Sequence, residues 1–136
     1  MSTVQEQNPR KKAVILLAHG SRDKQWQAPF FAMADKIKVS MEKEDSEHST
    51  LVELAFMELA TPTLEEVVHT LFRQGVDTIE VLPLFFAEGR HLRQDVPKQI
   101  EQLHEQYDIE ISLQAPVGQS ETVISAIQEV IFQQLT

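Results

Sequence analysis

Two histidines stand where their chemistry can be used. His19 follows the apolar run Ala13-Val14-Ile15-Leu16-Leu17-Ala18, and His91 follows Val81-Leu82-Pro83-Leu84-Phe85-Phe86 across a short link containing Gly89. A neutral imidazole serves as metal ligand or as general base, because its ordinary pKa lies near ~6.5. Glu58 comes just after another apolar stretch, where a carboxylate can complete a metal site or relay protons. Asp95 lies four residues after His91, so on a continuous helix the two share a face and the carboxylate can orient the imidazole. Pro97 predicts instead a helix beginning near Val96, with Asp95 close to its N-terminus. The chain has no cysteine, which excludes disulfides, thiolate zinc sites and cysteine-held iron–sulfur clusters within it. A metal here must take nitrogen or oxygen ligands.

These side chains need a scaffold that gathers them, and apolar runs alternating with helical periods describe one. The unbroken run 13–18 is expected to be a central parallel strand covered on both faces. Trp26, Phe30, Met33, Ile37 and Met41 then mark one face of a helix, and 42–49 reads as a polar loop. A second strand is expected at about 50–57. Thr61 is expected to cap the next helix with Pro62 in its first position, Glu65 and Glu66 near its positive end, and Leu64, Val67, Val68 and Leu71 as its buried stripe. Gly75 is placed to end it. A third strand at about 77–83, a helix within 91–106 carrying Val96, Ile100 and Leu103, an alternating edge strand at about 109–114, and a helix at about 119–134 carrying Val123, Ile124, Ile127 and Ile131 complete the chain. The order βαβαβαβα implies a single α/β domain over 13–136, a three-layer α/β/α arrangement around a four-stranded, mostly parallel sheet of flavodoxin-like topology. In such sheets ligands bind beyond the carboxyl ends of the strands, so His19 and His91 are candidates for one site.

Composition narrows the partners. At 136 residues the chain is one domain, able to bury roughly two-thirds of its unfolded surface. Its net charge of -9, from 12 basic against 21 acidic residues, disfavours nucleic acid or an anionic membrane as partner. The polar stretch 1–12 reads as a flexible tail, and the apolar segment after it is too short for a secretory signal or a membrane span. A cytoplasmic location is expected.

Leu16-Leu17-Ala18-His19-Gly20-Ser21-Arg22, Ala55-Phe56-Met57-Glu58 before Pro62, Pro83-Leu84-Phe85-Phe86, Gly89-Arg90-His91 and Asp95-Val96-Pro97 occur in that order. Together they resemble the small form of sirohydrochlorin chelatase, the class II tetrapyrrole metal chelatases, over about residues 13–131. The resemblance implies insertion of a divalent metal, Co²⁺ first, then Fe²⁺ or Ni²⁺, into sirohydrochlorin for cobalamin or siroheme synthesis. The metal is then a substrate, and no tightly bound cofactor is expected. It also implies a homodimer, because larger class II chelatases hold the macrocycle between two halves and this chain is the size of one. His19 and His91 are assigned as metal ligands, and His19, His91 and Glu58 as the catalytic groups. Ser21, Arg22, Gly89, Arg90 and Arg93 lie beside the histidines and are the expected contacts for a carboxylate-rich substrate. Pro83 to Phe86 offer either an apolar floor for the macrocycle or core.

Other functions read less well. A histidine-nucleophile phosphatase also places His-Gly after its first strand, but carries an arginine just before that histidine, where Ala18 stands here. A non-catalytic tetrapyrrole or metal carrier would use the same cleft and differs only in failing to accelerate insertion. His48, His69 and His104 fall among surface residues and are expected to be solvated side chains.

Overall fold

The computed structural model describes residues 11–44 and 50–136. Most of the expected tail, the segment containing His48, and the side chain of His91 lie outside that description. Four strands, β1 (Lys12–Ala18), β2 (Leu51–Phe56), β3 (Thr78–Pro83) and β4 (Glu110–Leu113), form one sheet in the order β2-β1-β3-β4. The described pairings are all parallel, in the register Leu16↔Leu54, Leu16↔Leu82 and Val81↔Leu113. The aliphatic run of β1 therefore lies between two strands, as its lack of polar residues requires, while alternating β4 is at an edge.

Helices cover both faces. Ala13, Ile15, Leu17, Ile79 and Val81 face α2 (Leu64–Arg73) and α3 (Arg90–Tyr107), whose Val68, Leu71, Leu92, Val96, Ile100 and Leu103 close the larger core. On the other face Leu16, Val52, Leu54 and Phe56 receive α1 (Lys24–Glu44) through Trp26, Phe30, Ala34, Ile37 and Met41. This is the expected three-layer α/β/α fold. A 3₁₀ turn (Val117–Gln119) leads from β4 to α4 (Glu121–Leu135).

Three local expectations are corrected. Residues 42–44 belong to α1 rather than to a loop. The helix cap after β2 is Thr63, two residues later than expected, with Glu66 completing a reciprocal capping box; Thr61–Pro62 precedes it as a cis peptide. Glu65 and Glu66 still occupy the first turn, and that helix ends as foreseen, with Gly75 at φ 85° and the Val76 N–H donating to the Leu71 carbonyl at 3.0 Å. Pro97 does not start a helix but lies inside α3, which begins at Arg90. The proline forfeits one backbone bond on the exposed side, and burial of Leu92, Val96, Ile100 and Leu103 on either side of it holds the helix continuous.

The β3–β4 ladder stops for a chemical reason. Its last bond joins the Gln114 N–H to the Val81 carbonyl at 2.8 Å. Continuing the register would place Pro83 opposite Ala115 and require N–H groups from Pro83 and Pro116, which have none. Both prolines are fully buried, and the chain turns away into the 3₁₀ turn.

Candidate functional site

Backbone pairing outlasts the strands at their carboxyl ends. The Leu84 N–H donates to Leu17 at 2.8 Å, Met57 N–H to Ala18 at 2.8 Å and Glu58 N–H to His19 at 3.0 Å. His19 and Glu58 are thus held side by side through their main chains, and the side chains of both are exposed. Gly20 makes this closeness possible. It adopts φ 105°, and a Cβ there would run into the Glu58 carbonyl oxygen. Leu59, just after Glu58, takes the left-handed conformation at φ 62°, which is uncommon for a bulky residue and reverses the chain there.

The His19 imidazole stacks on Phe85, with ring centroids 3.9 Å apart and 23° between planes. Phe85 is buried, so it is both core and a wall of the site, while Phe86 beside it is exposed. Stacking fixes the ring by its face and leaves the nitrogens, which lie in the ring plane, to meet a ligand or a proton.

The β1–α1 loop is ordered by its own side chains. Ser21 Oγ accepts from the Asp23 N–H at 3.1 Å, the Ser21 carbonyl accepts from Gln27 Nε2 at 2.7 Å, and Asp23 accepts from the N–H groups that open α1. Arg22 between them is exposed. On the other side of the crevice, Gly89 is the N-cap of α3 and supplies no side-chain cap, and no acidic residue stands in the first turn. Arg90 and Arg93 stand there instead, both exposed. Positive helix end and guanidinium groups therefore add, whereas α2 neutralises the same end with Glu65 and Glu66. An anion is the natural complement of such a terminus.

His91 is the second residue of α3, and α3 follows β3, the neighbour of β1 in the sheet. Asp95 is exposed on the same continuous helix, so the four-residue spacing is realised and the alternative placement at a helix start is not. Among the described residues no group of three or more histidine, aspartate or glutamate side chains is assembled to hold a metal ion. His69 and His104 are not simply solvated. His69 Nδ1 lies 3.0 Å from the Tyr107 hydroxyl, and His104 Nδ1 makes a short contact of 2.6 Å to the Ile109 carbonyl, tying α3 to the start of β4. Sequence reasoning missed the Gly20–Glu58 closure and the uncapped start of α3. The first was signalled by glycine directly after a strand-end histidine, the second by arginines where acids usually stand.

A four-stranded parallel sheet with a histidine just beyond the carboxyl end of β1 and a helix start without a side-chain cap, bearing Arg90 and Arg93, on the strand beside it makes up an α/β crevice of the kind in which open parallel sheets bind ligands. The family model CbiX matches residues 13–134, and the chain belongs to the CbiX family. It is 34% identical over 116 residues, 85% of this chain and 88% of the relative, to a sirohydrochlorin cobaltochelatase of Sulfurisphaera tokodaii. Among solved structures it is similar to a putative cobalamin biosynthesis CbiX protein of Marinobacter aquaeolei, with TM-score 0.76 and 38% identity over 91% of this chain and 97% of that one. It is also similar to the sirohydrochlorin chelatase SirB of Bacillus subtilis subspecies spizizenii in complex with cobalt, with TM-score 0.71 and 29% identity, covering 90% of this chain but 50% of that one.

Proposed function

We propose that the chain is a sirohydrochlorin metal chelatase that inserts a divalent metal, Co²⁺ first and Fe²⁺ or Ni²⁺ after it, at a cleft shared by two copies in the cytoplasm. The observation that carries this reading is His19, held at the crest of the central strand against Phe85 and backbone-bonded to Glu58, in a chain of the CbiX family. A relative named sirohydrochlorin cobaltochelatase and a SirB structure in complex with cobalt support the choice of metal. Insertion exchanges two pyrrole N–H protons for one M²⁺. His19 and His91 bring the metal as nitrogen ligands, and an imidazole or Glu58 takes the protons to solvent. Arg22, Arg90 and Arg93, with Ser21, Gly89 and the start of α3, hold the substrate carboxylates. Weak, thiolate-free ligation suits a metal that must be released into the ring. Among the described residues no helix is long and apolar enough to cross a membrane.

The test is anaerobic incubation of the protein with sirohydrochlorin and Co²⁺ or Fe²⁺, following the absorbance change of insertion. Acceleration over the protein-free rate should fall at least ~100-fold in His19→Ala and in His91→Ala, the usual scale for a lost acid–base group. Tight sirohydrochlorin binding without acceleration by any of the three metals would overturn the enzyme reading in favour of a carrier.

A further inference from the structure

Past the end of the β3–β4 ladder two stretches of chain still meet, and their meeting bears on the site. Pro83 and Pro116 halt the pairing, yet the Gly118 N–H donates to the Phe85 carbonyl at 2.9 Å. On its other side the same stretch is tied to β1, through the bond from the Leu84 N–H to the Leu17 carbonyl. The 3₁₀ turn that contains Gly118 is not held by the helix it leads into, since no residue of α4 is buried. It is seated by the buried ring of Pro116 and by this bond to Phe85.

Glycine is needed at this point for space rather than for backbone freedom. Gly20 and Gly75 have positive φ, and Gly118 does not. A Cβ on Gly118 would run into Phe86 Cα and lie 2.8 Å from Phe86 Cδ1 and 2.9 Å from the Phe86 carbonyl oxygen, where ordinary contact begins at 3.4 Å. A methyl group here is therefore a wedge against main chain, which cannot swing aside as a flexible side chain does. The wedge pushes on Phe86 while the carbonyl one residue back is bonded to the same glycine. Phe85 is 3% exposed, so close packing gives its ring one setting, and the His19 imidazole lies on that ring with 3.9 Å between centroids. Displacing the backbone at Phe85 tilts the ring and the imidazole stacked on it.

We propose that Gly118 is a positioning residue for the metal step: it sets the plane of Phe85, and Phe85 sets the direction in which the His19 ring nitrogens meet the metal. This role rests on the chelatase reading above, and it adds a residue beyond the edge strand that acts through Phe85 rather than by contact with metal or macrocycle. Its effect is selective. Delivery of a metal depends on where a lone pair points, and a misplacement of about 1 Å costs on the order of 100-fold. Holding the substrate carboxylates falls instead to Arg22 on the β1–α1 loop and to Arg90 and Arg93 in the first turn of α3.

The test compares Gly118→Ala, Phe85→Leu and their double variant with the unmodified protein. Proton NMR of the metal-free protein reads the His19 ring protons, assigned by their loss in His19→Ala, because an imidazole stacked on a phenyl ring carries a ring-current shift. Phe85→Leu should abolish that shift and Gly118→Ala should change it. In Co²⁺ insertion, Gly118→Ala should lower kcat/KM for Co²⁺ by ~10- to 100-fold and leave KM for sirohydrochlorin unchanged. The double variant should be no worse than the poorer single one, since both changes lie on one path. Thr63→Ala, which weakens the fold away from the site, should move neither the shift nor the Co²⁺ kinetics. An unmoved His19 shift in Gly118→Ala, unchanged Co²⁺ kinetics, losses that multiply in the double variant, or a KM for sirohydrochlorin that rises in step would each overturn the role. Should Gly118→Ala not fold, Phe85→Leu decides, because full Co²⁺ activity without the stacked ring overturns the role and a loss supports it. If the unmodified protein inserts no metal, the chelatase reading falls, and the NMR shift alone still decides whether Gly118 sets His19.

Discussion

Replacing Gly20 by alanine tests whether the closure between His19 and Glu58 is held by the absence of a side chain. Gly75 provides the control. Both glycines have positive φ, at 105° and 85°, but a Cβ on Gly75 meets nothing within 4 Å while one on Gly20 meets the Glu58 carbonyl. Gly75→Ala should therefore cost only backbone strain, about 1–2 kcal/mol. Gly20→Ala adds overpacking against main chain and loss of the bond from the Glu58 N–H to His19, for a total of about 4 kcal/mol. For a chain of this size each kcal/mol moves Tm by roughly 3–4 °C, so the melts should fall by ~5 °C and ~14 °C respectively. Urea and thermal unfolding of both variants, followed by far-UV circular dichroism, measure the difference. If the two lose stability within ~1 kcal/mol of each other, the contact does not hold the site together and the reasoning fails.

Thr63→Ala removes one half of the capping box and strands the other, and should lower Tm by ~3–6 °C with insertion per folded molecule unchanged, read from a melt and an insertion assay on the same sample. Arg90→Ala and Arg93→Ala should each raise KM for sirohydrochlorin about fivefold with kcat nearly constant, since exposed charge-assisted contacts are worth on the order of one kcal/mol. Added salt should raise the KM of the unmodified protein and shrink that difference, and a salt-independent KM would remove the arginines from substrate binding.

The parts of the fold that sequence disclosed are those governed by periodicity. The run 13–18 reads as a central strand covered on both faces, and Leu64, Val67, Val68 and Leu71 as the buried stripe of a helix; β1 does lie between two strands, with Val14 alone in the run half-buried, and the four helix residues are buried. Proline misled twice, for related reasons. Pro62 looked like the first residue of a helix because its missing N–H costs nothing there, yet the cap fell to Thr63, whose hydroxyl and Glu66 satisfy two donors at once. Pro97 looked like a boundary because local preference was weighed without the four buried side chains that carry α3 past it. For the site, the strand-end position of His19 was legible, but its stacking on Phe85 and the proximity of Glu58 depend on strands far apart in sequence. The exposure of α4 was invisible altogether, because an amphipathic pattern announces that a face is to be covered and not which surface will cover it.

Pro83 at the end of β3 and Pro116 just beyond β4 also limit what this edge of the sheet can recruit. By halting the ladder they hold β4 to Glu110–Leu113, an edge of four residues that alternates polar with half-buried side chains. So short an edge, with a glutamate and a serine on one side, is a poor template for a foreign strand and discourages sideways growth at this edge of the sheet. The same two missing N–H groups that end the pairing thus close this edge of the sheet to a further strand.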